Sequence, residues 1–157
     1  MKHAQESFDA AKALAASNGT VNTNLGAVAR QNGDTDAAAT YYGKASGGSE
    51  LSYNKGVLAI TQGNYGRAIS NMGSNSTANL ALAKILNDDA NGARTTLENA
   101  GDDSAIASYL LAVCCARLKD AAGVKKYVSA ALSKDPTLRD RAQNDLEFRN
   151  YKSSLGM

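Results

Sequence analysis

The amino-acid sequence predicts an all-α fold assembled from repeated helix pairs. Three observations carry that expectation. Residues 20–47, TVNTNLGAVARQNGDTDAAATYYGKASG, read as helix, tight turn, helix. A near-copy, ELSYNKGVLAITQGNYGRAISNM, follows with its matching glycine thirty residues on, Gly56 for Gly26. An internal repeat of a helix pair marks a stacked architecture in which each unit covers the apolar face of the next. A single proline in 157 residues leaves helices uninterrupted. The apolar share, 43%, is dominated by alanine, with no tryptophan and two phenylalanines; small side chains let helices approach closely.

Each element follows in order. Residues 5–16 make a lone amphipathic helix, with Phe8, Ala11, Leu14 and Ala15 on one face at three- and four-residue steps. Asn18-Gly19 is expected to stop it, since both residues tolerate the left-handed conformation of a helix end. This helix reads as the second half of a pair, so either the array begins with a lone helix or, the reading preferred, the chain is a segment of a longer protein. The first full repeat spans 20–49. Its first helix turns Leu25, Val28 and Ala29 inward around Gly26. A mid-helix glycine costs about 1 kcal/mol against alanine, and close approach of a neighbouring helix accounts for it. Asn32-Gly33 is the turn, Asp34 or Thr35 the next cap, and Ala38, Tyr42 and Ala45 the inner stripe.

The second repeat, 50–76, places Tyr53, Val57, Leu58 and Ile60 around Gly56. It turns at Gln62-Gly63-Asn64-Tyr65 and sends Ala68, Ile69 and Met72 inward. The third, 77–102, has a first helix apolar on most sides, which needs cover on both and so belongs mid-array. Asn87-Asp88-Asp89 turns it into a helix carrying Ala93, Leu97 and Ala100. The fourth, 104–136, holds the most hydrophobic helix. Lys119-Asp120 turns it, and Pro136 closes the pair. Residues 137–152 read as one charged capping helix, with Leu138, Ala142, Leu146 and Phe148 toward the last pair. Repeat arrays need such a polar-faced end for solubility. Residues 153–157 are expected to fray. The expectation is thus one array over 1–152.

Composition excludes several function classes. Net charge is +2 and the lysines and arginines are scattered, which is no footprint for nucleic acid. No apolar run approaches the roughly 20 residues of a transmembrane helix, and no apolar segment follows Met1-Lys2-His3 as in a signal peptide. The compartment is left open between cytoplasm and, for a secreted parent, periplasm or cell envelope. His3 is the lone histidine, and Cys114-Cys115 are vicinal on an apolar helix, so neither zinc ligands nor a disulfide is expected. No nucleophile elbow or phosphate-cradling loop occurs. Asp88-Asp89 and Asp102-Asp103 read as helix caps. Asn75-Ser76-Thr77 fits a glycosylation acceptor by pattern alone. No cofactor, metal or catalytic residue is expected.

The repeat resembles the tetratricopeptide repeat of bacterial type, whose pattern is Trp-x2-Leu-Gly-x2-Tyr, then Ala-x3-Phe, then Ala and Pro. Leu25-Gly26, Ala38, Tyr42 and Ala45 follow it in the first unit; Gly56, Ala59, Ala68 and Met72 in the second. Leu80-Ala81, Ala93, Leu97 and Ala100 follow in the third, then Leu111-Ala112, Cys115, Val128, Ala131 and Pro136 in the fourth. Asn22 and Ala29 stand where Trp and Tyr are usual, and Lys55 stands where Leu is usual. The resemblance implies a right-handed α-α superhelix, a solenoid of helix hairpins.

It also implies a site. In that family the first helices line a concave face, and an Asn just before the Leu-Gly binds the main chain of a ligand; here that Asn recurs as Asn24, Asn54 and Asn79. Arg30, Gln31, Tyr53, Val57, Ile60, Leu82, Ile85, Tyr109, Val113 and Arg117 are expected on the same face, an apolar groove with a basic residue near each end. The family's basic two-carboxylate clamp is not reproduced, because Thr23 and Ala27 occupy its places. The implied function is a scaffold that binds an extended segment or helix of a protein partner. The alternative is a structural spacer of a larger cell-envelope protein, with the groove filled internally.

Overall fold

The computed structural model of the protein describes residues 2–14 and 18–156. Among them there is no strand. In chain order the helices are α1 (Lys2–Leu14), α2 (Gly19–Gln31), α3 (Thr35–Lys44), α4 (Ser49–Thr61), α5 (Tyr65–Met72), α6 (Ala78–Leu86), α7 (Ala90–Ala100), α8 (Ala105–Arg117), α9 (Ala121–Lys134), α10 (Leu138–Asn144) and α11 (Lys152–Leu155). A 3-10 segment, Leu146–Tyr151, separates the last two. Sequence neighbours pack as pairs: α2 with α3, α4 with α5, α6 with α7, α8 with α9. Contacts divide the chain between Gly73 and Ser74 into two compact units. The division falls where Gly73 caps α5 at φ +61°, a conformation open mainly to glycine.

The four pairs share one turn. Gly33, Gly63, Asp88 and Lys119 each take positive φ, at 83, 72, 61 and 59°. The next residue in each donates its backbone N–H to a carbonyl five residues back, Asp34 to Ala29, Asn64 to Ala59, Asp89 to Lys84 and Asp120 to Cys115, at 2.8–2.9 Å. Its side chain then accepts from the backbone N–H three residues on, at 2.8–3.2 Å. One residue thus closes the first helix and caps the second. This places the cap at Asp34 rather than Thr35.

The interior of each pair is equally regular. Gly26, Gly56, Ala81 and Ala112 lie seven residues before the positive-φ residue, and Tyr42, Met72, Leu97 and Val128 lie sixteen after them. All four of the later residues are at most 2% exposed. A Cβ at Gly26 would lie 2.5 Å from Cδ1 of Tyr42, and one at Gly56 would lie 2.6 Å from Cγ of Met72. The mid-helix glycines are therefore there for close approach, and alanine suffices where the partner is Leu or Val. Irregularity in the repeat length is confined to the connections between pairs.

Several expectations are corrected. Asn18 caps α2, its Oδ1 accepting from Val21 N at 3.1 Å, and Gly19 is the first residue of that helix; the end of the helix before it lies outside the described residues. Ala15 and Ala16 lie outside the described residues, as do the side chains of Phe8, Ala11 and Leu14. The capping stretch is not one helix. Asp145 turns extended and accepts from Glu147 N at 2.9 Å, which starts the 3-10 segment. That change of register keeps Phe148 fully buried and leaves Leu146 81% exposed, where a continuous helix would have turned it inward. The tail does not simply fray: residues 152–155 form a helical turn and Leu155 packs on the core of its unit.

Candidate functional site

The predicted site residues fall in two sets, one in each unit. In the first, α2 packs beside α4. Asn24 and Arg30 on α2 and Tyr53, Asn54, Val57 and Ile60 on α4 are half-buried, and Gln31 is exposed. The amides of Asn24 and Asn54 hold no side-chain hydrogen bond among the described residues. The Arg30 Nε and the Tyr42 hydroxyl are both buried, and neither makes a formed hydrogen bond. Burial pushes the Tyr42 phenol above its ordinary pKa, and the nearby Arg30 guanidinium only partly offsets that.

In the second unit, α6 packs beside α8, and between them lies a concavity of about 220 Å³. It brings together three predicted residues, Asn79, Leu82 and Tyr109, with three that sequence reasoning missed, Ile106, Leu110 and Arg141. Ile106 is 48% exposed, an uncovered branched side chain one helical turn before Tyr109. That spacing was a readable signal. Arg141 comes from α10 and has no local one; its guanidinium lies 5.3 Å from the centre of the Tyr109 ring.

Tyr109 itself is core. It is 5% exposed, meets Phe148 edge-on at 5.4 Å, and donates its hydroxyl to Asp145 Oδ2 at 2.6 Å. Burial, then the Asp145 acceptor and its charge, push its pKa far above the usual phenol range. Val113, one turn on, is 6% exposed. Arg117 completes this stripe and is committed within the chain. It donates to Glu147 from two nitrogens, to the Ile85 carbonyl, and lies 3.4 Å from Asp88. The Tyr151 hydroxyl also donates to the Ala116 carbonyl at 3.2 Å. Tyr109 and Arg117 are thus both held by the protein's own C-terminal segment, and Val113 between them is buried.

The remaining chemistry is structural. Cys114 and Cys115 are free and fully buried. Burial first, then the neighbouring Cys115, holds the Cys114 thiol up at about 12, and burial raises Cys115 too. Both are protonated at neutral pH and poor nucleophiles. Among the described residues no cluster of His, Cys, Asp or Glu is arranged for a metal ion, and no helix is long and apolar enough to cross a membrane. Asp89 and Asp120 cap α7 and α9. Thr77, the last residue of the glycosylation pattern, caps α6 by accepting from Leu80 N at 3.2 Å. Compared with the models of known protein families and with curated proteins, this chain matches neither a family nor a curated relative.

Proposed function

We propose that this chain is a tetratricopeptide-like scaffold for protein–protein interaction, without catalytic activity. Four helix pairs built on one turn and one sixteen-residue spacing support the repeat reading. The observation that carries the functional reading is the concavity between α6 and α8, where an exposed Ile106 meets Leu82, Leu110 and the edge of Tyr109 beside Arg141. Apolar concavities with a few polar groups at the rim are where short segments of a partner dock. In this reading Asn24 and Asn54 offer uncommitted amides, which can donate to and accept from an extended main chain at once.

The test is selection of peptides from a displayed random library on the wild-type chain, followed by binding to Ile106→Glu. Ile106 is exposed, so the variant keeps its fold. Selected peptides should be rich in large apolar residues, lose binding to the variant, and respond little to salt, since the contact is mostly apolar. Peptides that bind wild type and variant equally well would remove the α6–α8 concavity from the reading.

One observation favours a second reading, a structural spacer with its groove filled internally. The C-terminal segment already holds Tyr109 and Arg117. If no displayed peptide binds at all, that reading is the stronger one.

A further inference from the structure

The first unit holds a cavity of about 230 Å³ among α3, α4 and α5, remote in purpose from the face described above. It exists because Ala39 and Gly43, one turn apart on α3, carry almost no side chain there. Leu58 and Ala59 of α4, with the fully buried Tyr42, supply its apolar wall. Its polar lining is Lys55 on α4 and Gln62 at the C-cap of that helix, and Arg67 and Asn71, one turn apart on α5. None of these four side chains has an ion-pair or hydrogen-bond partner among the described residues. No carboxylate lines the cavity; the nearest acid along α3 is the exposed Asp36, one turn before Ala39.

Two cations on different helices, two amides able to donate, and no anion make a set with one chemical complement. Guanidinium and ammonium hydrogen bonds to oxyanions are shorter and about twice as strong as neutral ones. Lys55 and Asn71 are half-buried and Gln62 and Arg67 exposed, so the donors can be reached from solvent. We propose that this cavity binds the oxyanion of a small ligand, a phosphate monoester or a carboxylate, held between Lys55 and Arg67 with Gln62 and Asn71 donating from the sides. The site stands apart from the peptide-docking reading: neither Lys55 nor Arg67 belongs to the face that reading uses.

The experiment is an amide NMR titration of the full chain at neutral pH and fixed ionic strength. Inorganic phosphate and acetate are titrated separately, with chloride as the balancing salt. Shifts should saturate, and should be confined to residues around Ala39–Gly43, Lys55–Gln62 and Arg67–Asn71. Stronger phosphate binding assigns the ligand a phosphate, stronger acetate binding a carboxylate. Lys55→Gln with Arg67→Gln should weaken the preferred anion by about tenfold or more. Both side chains are unpartnered, so the fold is kept. Ala39→Trp keeps every charge but fills the cavity, and should abolish saturation. Lys125→Gln with Arg139→Gln removes the two cations of a more open basic concavity of the second unit, and should change nothing. Linear shifts with both anions, saturation that survives the Lys55 and Arg67 changes, or loss of binding in the Lys125 and Arg139 control would each overturn the proposal.

Discussion

The Arg117 guanidinium donates to a single carboxylate oxygen of Glu147 from two of its nitrogens, at 2.9 and 2.6 Å. The same side chain reaches the Ile85 carbonyl and Asp88 at the end of α6. One residue therefore ties the C-terminal ends of two first helices to the segment that closes the chain. Both partners are under a third exposed, so water screens the pair only in part.

Removing that tie should be costly and asymmetric. Arg117→Ala strands Glu147 and takes one of two donors from the Ile85 carbonyl, which keeps the Asp88 N–H, whereas Glu147→Gln leaves an acceptor in place. Urea unfolding should give a loss of about 2 kcal/mol for the first and roughly half that for the second. A double-mutant cycle should return a coupling on the order of 1 kcal/mol. Equal, small losses for both would mean that the cap is held by Phe148 alone.

Gly26 and Gly56 should respond differently to alanine. Helix propensity alone would make either change stabilising by about 1 kcal/mol. Sterics oppose it: the new methyl meets a rigid aromatic ring at Gly26, but at Gly56 chiefly a flexible thioether, with the Ala68 carbonyl at 3.2 Å. Gly26→Ala should therefore destabilise by about 1–3 kcal/mol, and Gly56→Ala by distinctly less. The comparison is made by thermal or urea melts of both variants. A gain at Gly26 would show that Tyr42 moves aside freely.

This contrast also marks what is legible in the sequence. Gly26 inside an apolar stripe announces close packing, and Asn-Gly-Asp announces the turn, because both are local rules of backbone and side-chain size. The four pairs were readable on that basis. The C-terminal segment was not: charged residues at helical spacing say nothing of Asp145 switching to extended backbone and beginning a 3-10 turn. Nor does any local rule tell Tyr109 that Asp145, thirty-six residues on, will accept its hydroxyl. A stripe of Tyr, Val and Arg reads the same whether a partner holds its Tyr and Arg or the chain's own end does. The cavity of Lys55 and Arg67 was illegible for a similar reason, since it depends on what α3 lacks.

Lys119 offers a way to raise stability. It sits at φ +59° in the turn position that Gly33 and Gly63 fill in the first two pairs. The left-handed region costs a residue with a Cβ about 1–2 kcal/mol, which glycine avoids. Its own side chain is exposed. Lys119→Gly should gain about 0.5–1 kcal/mol after the larger entropy of the unfolded glycine is counted. A higher urea midpoint with unchanged slope is the expected result. Asp88→Gly should gain less, because Asp88 also lies 3.4 Å from Arg117. A loss at Lys119 would mean that its aliphatic stem supports the turn.

Stability should fall on the alkaline side, and in two stages. Cys114, Cys115, Tyr42 and Tyr109 all have raised pKa values, each led by burial. An acid held above its unfolded value binds its proton more tightly in the fold. Its contribution is complete below the unfolded pKa and is lost as pH rises toward the folded one. The urea midpoint should thus begin to drop above the ordinary thiol value of about 8.5, and drop faster above the ordinary phenol value of about 10. Cys114, at about 12, keeps contributing to the slope across that whole window. Cys114→Ala with Cys115→Ala should lower the baseline, since two filled core sites are lost, yet flatten the first stage. Tyr109→Phe keeps the ring on Phe148 and should flatten the second stage in part, at a cost of about 1 kcal/mol for the hydrogen bond to Asp145. A midpoint that stays level to pH values above the phenol range, or a first stage unchanged without the thiols, would show that these groups are reached by water far more readily than their burial implies.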